Sequence, residues 1–257
     1  MGAGGRFEPA VGTWQSGLGL VRDAVRHELV RRQLACHLPA APQCVLDAGC
    51  GQGTQAVALA RLGHDVVGLD LSDQLLDEAR RTAAGEPAEV AGRLRFARGD
   101  LLALGDEHHA RYDVVCCHGV AMYLPSLDEA VGALRRACRS GGLLSLLTRN
   151  RAGIAMRAGM TGDWAAAVAA FDARHYDNRV GVRAVRADEP AEVRAALEAH
   201  GAAVVAWYGV RLFTDHWGAQ EPGGDFAKLV AAELEAGRRD PYRALAALTH
   251  TLARLDG

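Results

Sequence analysis

Lysine is almost missing from this chain: of its 29 basic residues only Lys228 is a lysine, and the rest are arginines in a sequence crowded with alanine and glycine. That bias reads as a compositional habit and carries little functional weight. Aromatics are scarce too, at 5%. With 29 basic against 31 acidic residues the formal charge is -2, which excludes a whole-molecule basic field of the kind that announces nucleic-acid binding. No apolar segment reaches the ~18 residues a membrane span requires, and no basic flank, apolar stretch and cleavage site opens the chain. Six cysteines are present (Cys36, Cys44, Cys50, Cys116, Cys117, Cys138), none in a C-x-x-C pair and two adjacent in an apolar run. They suit buried free thiols better than bridges or zinc ligands, so a reducing, cytoplasmic setting and no metal are expected. Repeats and low-complexity tails are absent.

What is present is a core. The 257 residues are 49% hydrophobic, enough for one large domain or a domain with an appendage. From Cys44 onward short apolar runs alternate with helix-like stretches: strands at 45–48, 65–70, 94–97, 112–117 and 143–147, and helices at 55–62, 72–84 and 127–138. Such alternation specifies a parallel sheet with crossover helices. Ser72 is a fitting N-cap for the helix after the second strand. Residues 18–38 carry leucine, valine and arginine at helical spacing. The division expected is a helical lead-in (1–44), a Rossmann-like core (45–148), a segment without clear periodicity (149–186) and a C-terminal completion of the sheet (187–257). That completion opens with a helix at 189–200 and a strand at 203–208, and Tyr242–Leu255 reads as helix or as helix followed by a short strand. The 149–186 segment is the most basic, with seven arginines against three acids.

The most informative residues run from Val45 to Gly53, an apolar strand entering a glycine-rich turn that opens a helix. Glycine serves where backbone must pass close to a ligand or adopt positive φ. Gly49, Gly51 and Gly53 give G-x-G-x-G, one residue short of the dinucleotide pattern, and this suits an adenosyl ligand without phosphates on the helix N-terminus. Asp70 ends the second strand, where a carboxylate accepts both ribose hydroxyls of a nucleoside. Asp100 follows the third strand, placed to accept from an adenine amine. Each alone has a plainer meaning, as turn former, helix cap or turn residue.

Taken in order, VLDAGCGQG (45–53), GLDLS (68–72), GD (99–100), YDVV (112–115) and RSGGLLSL (139–146) resemble the class I S-adenosylmethionine-dependent methyltransferases. The resemblance implies an α/β fold with a seven-stranded sheet, helices on both faces and an inserted lid. It also implies S-adenosylmethionine held by Asp47, Gly49, Cys50, Gly51, Gly53, Asp70, Leu71, Asp100, Leu101 and His118, with S-adenosylhomocysteine as product. Within that superfamily the chain is most similar to the bacterial tRNA 5-carboxymethoxyuridine methyltransferases. Gly19–Arg22 resembles their segment whose arginine binds the methionine carboxylate, Cys117–Val120 their fourth-strand loop, and Trp207–His216 a late strand. Against this, their loop has glycine where Cys50 stands, their middle segment is rich in lysine, and the last strand is not evident here.

Methyl transfer from a sulfonium is an in-line displacement that asks chiefly for alignment and exclusion of water. A carboxylate acceptor is already ionised at pH 7 and needs positioning, for which Arg211 is the first candidate, its plainer reading being a solvated strand-end arginine. His118 would serve as base for an amine, phenol or alcohol, or would only contact the cofactor or brace its loop. Tyr123, Trp164, His175 and Tyr176 are candidates for an aromatic wall, and Arg149 for acceptor binding. The acceptor is tRNA if the basic segment gathers its arginines on one face, and a small molecule if they diverge beneath a lid. A non-catalytic nucleoside-binding protein is a third reading.

Overall fold

The computed structural model describes residues 8–257, so the first seven residues of the expected lead-in lie outside it. In chain order the elements are α1 (Val11–Gln15), α2 (Val21–Ala35), β1 (Cys44–Ala48), α3 (Thr54–Arg61), β2 (Asp65–Asp70), α4 (Asp73–Ala84), α5 (Ala88–Ala91), β3 (Leu94–Arg98), β4 (Tyr112–His118), α6 (Leu127–Ala137) and β5 (Cys138–Arg149). There follow α7 (Ala152–Met160), α8 (Trp164–Ala170), the two-residue strands β6 (His175–Tyr176) and β7 (Val185–Arg186), α9 (Pro190–Ala199), β8 (Ala202–Val210), α10 (Phe226–Gly237) and β9 (Leu248–Leu255).

Seven strands form one sheet in the order β3-β2-β1-β4-β5-β9-β8. The first five are parallel, and β9 runs antiparallel between β5 and β8. Because the central strands β1 and β4 are covered on both faces they read as apolar runs without alternation. On one face Leu46, Val115, Cys117 and Leu144 pack against Val131 and Leu134 of α6 and Val193 and Leu197 of α9. On the other, Val45, Val66, Val114 and Cys116 pack against Ala56, Val57 and Leu59 of α3 and Leu34 of α2. The chain order of strands reverses between β1 and β4, and open sheets of this kind bind ligands outside the carboxyl ends of their strands at that point.

The Ser72 hydroxyl caps α4 by accepting from the Leu75 amide at 3.4 Å. Two other readings need correction. The fifth strand begins at Cys138 and not at Leu143: Cys138 pairs with Tyr112 and Leu143 with Val114, and the extra residues between form a bulge around Gly141 at φ +71°. Residues 149–186 are not aperiodic, for they hold two helices and a small ladder. Their pattern was hidden because Met156, Met160, Trp164, Val168 and Phe171 are exposed, so the apolar stripe does not face a core. Of the two readings of the C-terminal stretch, helix followed by strand holds: a 3-10 turn at Tyr242–Leu245 precedes an eight-residue strand, which supplies the last strand of the sheet. Seven of the eight β9 residues are buried, which removes the alternation that marks a half-exposed strand. Helix α10 had no counterpart in the sequence reading. Of the thiols, Cys36 is exposed and Cys44 half-buried, and the other four are buried.

Candidate active site

A cavity of about 300 Å³ opens at the carboxyl ends of β1, β2 and β4. Its floor is the turn after β1. The Gly49 and Cys50 amides both donate to the Leu69 carbonyl, at 2.7 and 2.9 Å. Gly49, Gly51 and Gly53 stand at φ +78°, +55° and +83°. A Cβ on Gly49 would lie 2.2 Å from Val120 Cγ2, so glycine is required there by space as well as by conformation. Cys50 sits between them without a left-handed φ, so the turn accommodates a side chain at that position.

The Asp70 carboxylate accepts from the Gly51 amide at 2.8 Å and the Ser72 amide at 3.0 Å, tying the second strand to the turn. Asp100 Oδ1 accepts from the Leu102 amide at 2.9 Å. Both acids, with Leu71 and Leu101, line the cavity. Beside it a cavity of about 50 Å³ is lined by Arg26, Asp47, Gly49, Cys50 and His118. Asp47 is buried there, its Oδ2 has no hydrogen-bond partner, and burial together with the nearby Asp70 pushes its carboxyl up to about 7. An orphaned buried acceptor beside a glycine cradle fits a ligand that brings an ammonium group and a nucleoside.

At the end of β4 a buried chain of polar groups crosses three strands. His118 Nε2 lies 2.8 Å from Ser145 Oγ, which lies 2.8 Å from His250 Nε2, and His250 Nδ1 lies 2.8 Å from Gln33 Oε1. Gln33 Nε2 donates to the Gly209 carbonyl at 3.4 Å. Because the Gln33 amide turns its oxygen to His250, the directions follow: His250 Nδ1–H donates to Gln33, Ser145 donates to His250, and His118 Nε2–H donates to Ser145. Burial lowers the pKa of both histidines, His250 to about 3 and His118 well below the ordinary value, the latter helped by His250 and Arg26. The remaining nitrogen, His118 Nδ1, is buried and unpartnered.

The far end of the cavity is arginine-rich. Arg211, just past β8, holds φ +62° and binds Asp215 Oδ1 through Nη2 at 3.0 Å. Arg149, the last residue of β5, binds Asp215 Oδ2 at 3.2 Å and lies over the Tyr176 ring. Burial alone would raise the Asp215 carboxyl, but Arg211 and Arg149 outweigh it and hold it at about 2. Arg179 donates to the carbonyls of Trp217 and Asp215 at 2.8 and 3.3 Å. The turn carrying Arg211 is wrapped on a buried carboxylate of α10. Glu233 accepts from the amides of Leu212, Phe213 and Thr214 at 2.8, 3.1 and 3.1 Å and from the Thr214 hydroxyl at 2.8 Å.

Of the residues expected at the site, Arg22, Gly49, Gly51, Asp70, Leu71, Asp100, Leu101, His118, Tyr123, Arg149, Tyr176 and Arg211 line the large cavity. Asp47 and Cys50 line the smaller one, and Gly53 caps α3 behind the loop. Trp164 does not join them: it is 71% exposed at the start of α8 and outside both cavities. His175 is exposed as well. Sequence reasoning did not single out Asp215, Arg157, Arg179, Glu233, Ser145, His250 or Gln33. Asp215 carried a signal as an acid four residues after Arg211, and Arg157 and Arg179 carried one only as members of the basic segment.

Residues 45–142 match the family model described as a methyltransferase domain. The chain carries an S-adenosylmethionine-dependent methyltransferase domain. The methyltransferase is 28% identical over 214 residues to the tRNA 5-carboxymethoxyuridine methyltransferase of Escherichia coli (strain K12), covering 82% of this chain and 79% of that one. It is 35% identical over 107 residues to the ubiquinone biosynthesis O-methyltransferase of Shewanella pealeana, spanning 42% of this chain and 44% of the relative. Its fold is similar to the magnesium protoporphyrin IX methyltransferase of Synechocystis PCC 6803 with bound S-adenosylhomocysteine, at a TM-score of 0.61 and 17% identity, covering 92% and 86% of the two chains. S-Adenosylmethionine is therefore the cofactor, and it supplies a methyl group on a positively charged sulfur that a nucleophile displaces in line.

Proposed function

We propose that this methyltransferase esterifies a carboxylate, and that the acceptor is the carboxymethoxy group of a modified uridine in tRNA. The observation that carries this is Arg211, largely buried at the cavity's far end and held by Asp215. A guanidinium so fixed grips a carboxylate with parallel hydrogen bonds. In the proposed arrangement Asp70 and Asp100 hold the nucleoside, Asp47 the ammonium, and Arg22 the cofactor's carboxylate. Tyr123 and Tyr176 form the apolar wall that keeps water out. His118 is a positioning group in this reading, not a base: one ring nitrogen is spent on Ser145, the other is shut away from the cavity's solvent, and burial holds its affinity for a proton well below that of an ordinary imidazole. Without a base the chain suits an acceptor already ionised, because no proton moves when a carboxylate oxygen takes the methyl group. The likeness to the tRNA enzyme runs over most of both chains, and that supports its acceptor class above that of the quinone relatives.

A carboxylate on a small metabolite is the second reading. It is favoured by the pairing of Arg151 with Glu189, Arg174 with Glu192 and Arg186 with Asp188, which spends part of the basic segment internally. The test is transfer of labelled methyl to tRNA carrying 5-carboxymethoxyuridine at low salt, with release of the label by mild base as an ester requires. Arg211→Gln should depress turnover on the acceptor by about tenfold or more and leave cofactor affinity unchanged. Absence of label in tRNA at low salt refutes the tRNA acceptor, and equal loss of cofactor binding in the variant refutes the role given to Arg211.

A further inference from the structure

Counting charge at the far end of the cavity leads past a single carboxylate. Six guanidiniums and four carboxylates line the cavity; Arg26 is paired with Asp23 at 2.7 Å, and Asp70 and Asp100 stand by the glycine turn, which leaves Arg22, Arg149, Arg157, Arg179 and Arg211 with the single carboxylate Asp215. Asp215 spends its two oxygens on Arg149 and Arg211. Arg179 is held by main-chain carbonyls, which orient it but neutralise nothing. Arg22 and Arg157 form no ion pair in contact among the described residues and feel Asp215 only at longer range. The crowding registers on Arg22 itself, whose pKa falls to about 10 through burial and through repulsion by Arg179, Arg211 and Arg157. If the cofactor's carboxylate takes one positive charge and the acceptor carboxylate another, two guanidinium charges remain in a partly buried space. Unpaired charge there is costly, and arginines are retained in such places where an anion arrives. The cofactor does not supply that anion, since its sulfonium and ammonium outnumber its one carboxylate.

We infer that the acceptor carries a second anionic group close to the carboxylate that is methylated, and that Arg157, with Arg179 behind it, is the subsite that receives it. This rests on the carboxylate reading above and deepens it. Arg157 stands on α7, in the segment inserted after β5, so the subsite is built by the insertion and not by the parallel core. The same chemistry comes from two sources: a phosphate of a nucleotide or a second carboxylate of a dicarboxylic acid. Both place a compact, hydrogen-bond-accepting anion against a planar donor fork.

The experiment uses the full chain saturated with S-adenosylhomocysteine and titrates it by calorimetry with propionate, succinate and uridine 5′-monophosphate at fixed ionic strength. The doubly charged probes should bind about tenfold or more tightly than propionate, the gain expected of one charge-assisted contact. Tighter binding of the nucleotide than of succinate assigns the second charge to a phosphate, and the reverse order assigns it to a carboxylate. Arg157→Gln should erase the preference while S-adenosylhomocysteine still binds, and Arg157→Lys should keep most of it because the charge remains. Equal affinity for propionate and succinate, no binding of any probe, or a preference that survives Arg157→Gln overturns the inference. Failure of the carboxylate reading looks different: there Arg211→Gln leaves propionate binding untouched.

Discussion

Asp47 holds the most informative proton in the protein. Its folded pKa of about 7 lies above the ordinary carboxyl value, because burial and Asp70 both disfavour the charge. A carboxyl that binds its proton more tightly in the fold favours the folded state at low pH. That contribution is present in full below about 4 and is lost as pH climbs to about 7. An ammonium delivered beside Oδ2 reverses the preference. Cofactor affinity measured by calorimetry should therefore rise with pH up to about 7 and level off above it, and Asp47→Asn should flatten the profile. A variant that keeps the slope places the titrating group elsewhere. Asp47 is visible in the sequence as one letter of a strand, yet its altered proton affinity exists only because β1 is covered on both faces and brought near the end of β2. Arg211 likewise was legible as a strand-end arginine, but its hold on Asp215 and its left-handed φ depend on Glu233, which lies on a helix after it.

At the scale of elements the turn from β1 into α3 does most to shape the cavity. Gly49→Ala combines a positive φ with a Cβ that would meet Val120 Cγ2 at 2.2 Å. Cofactor binding should weaken by about tenfold or more, since the φ penalty alone is ~1–2 kcal/mol. Adding Val120→Ala should recover the steric part and leave the conformational part. Full recovery would show that conformation is not limiting at Gly49. This turn was read correctly from spacing because glycine's need for a positive φ is local chemistry. The insertion at 149–186 was not, because α7 and α8 expose their apolar residues and a periodicity rule assumes that apolar means inward. Trp164 was misplaced for the same reason: an aromatic in a basic segment says nothing about which way its helix faces.

For the whole molecule, β9 is the element on which the most depends. It pairs with β5 on one side and β8 on the other and carries His250 of the buried polar chain. Ending the chain after Ala247 should leave β8 without its neighbour, β5 paired on one side only and a polar chain broken in the core, so circular dichroism should report loss of native structure. A truncated protein that still folds and binds cofactor would show that the parallel strands stand alone.

Local chemistry decided, from the amino-acid order alone, the alternation of strand and helix, the glycine turn, the acids that follow β2 and β3, and hence the cofactor. These depend on residues within one βα unit, where spacing fixes geometry. Tertiary structure decided the acceptor end. Arg22 comes from the lead-in helix, Arg149, Arg157 and Arg179 from the end of β5 and the insertion after it, and Arg211 from the turn after β8, and neither their meeting around Asp215 nor the neutrality of His118 follows from any local pattern. Charge balance and burial are properties of the assembled space, set only when sheet, insertion and C-terminal strands close on one another.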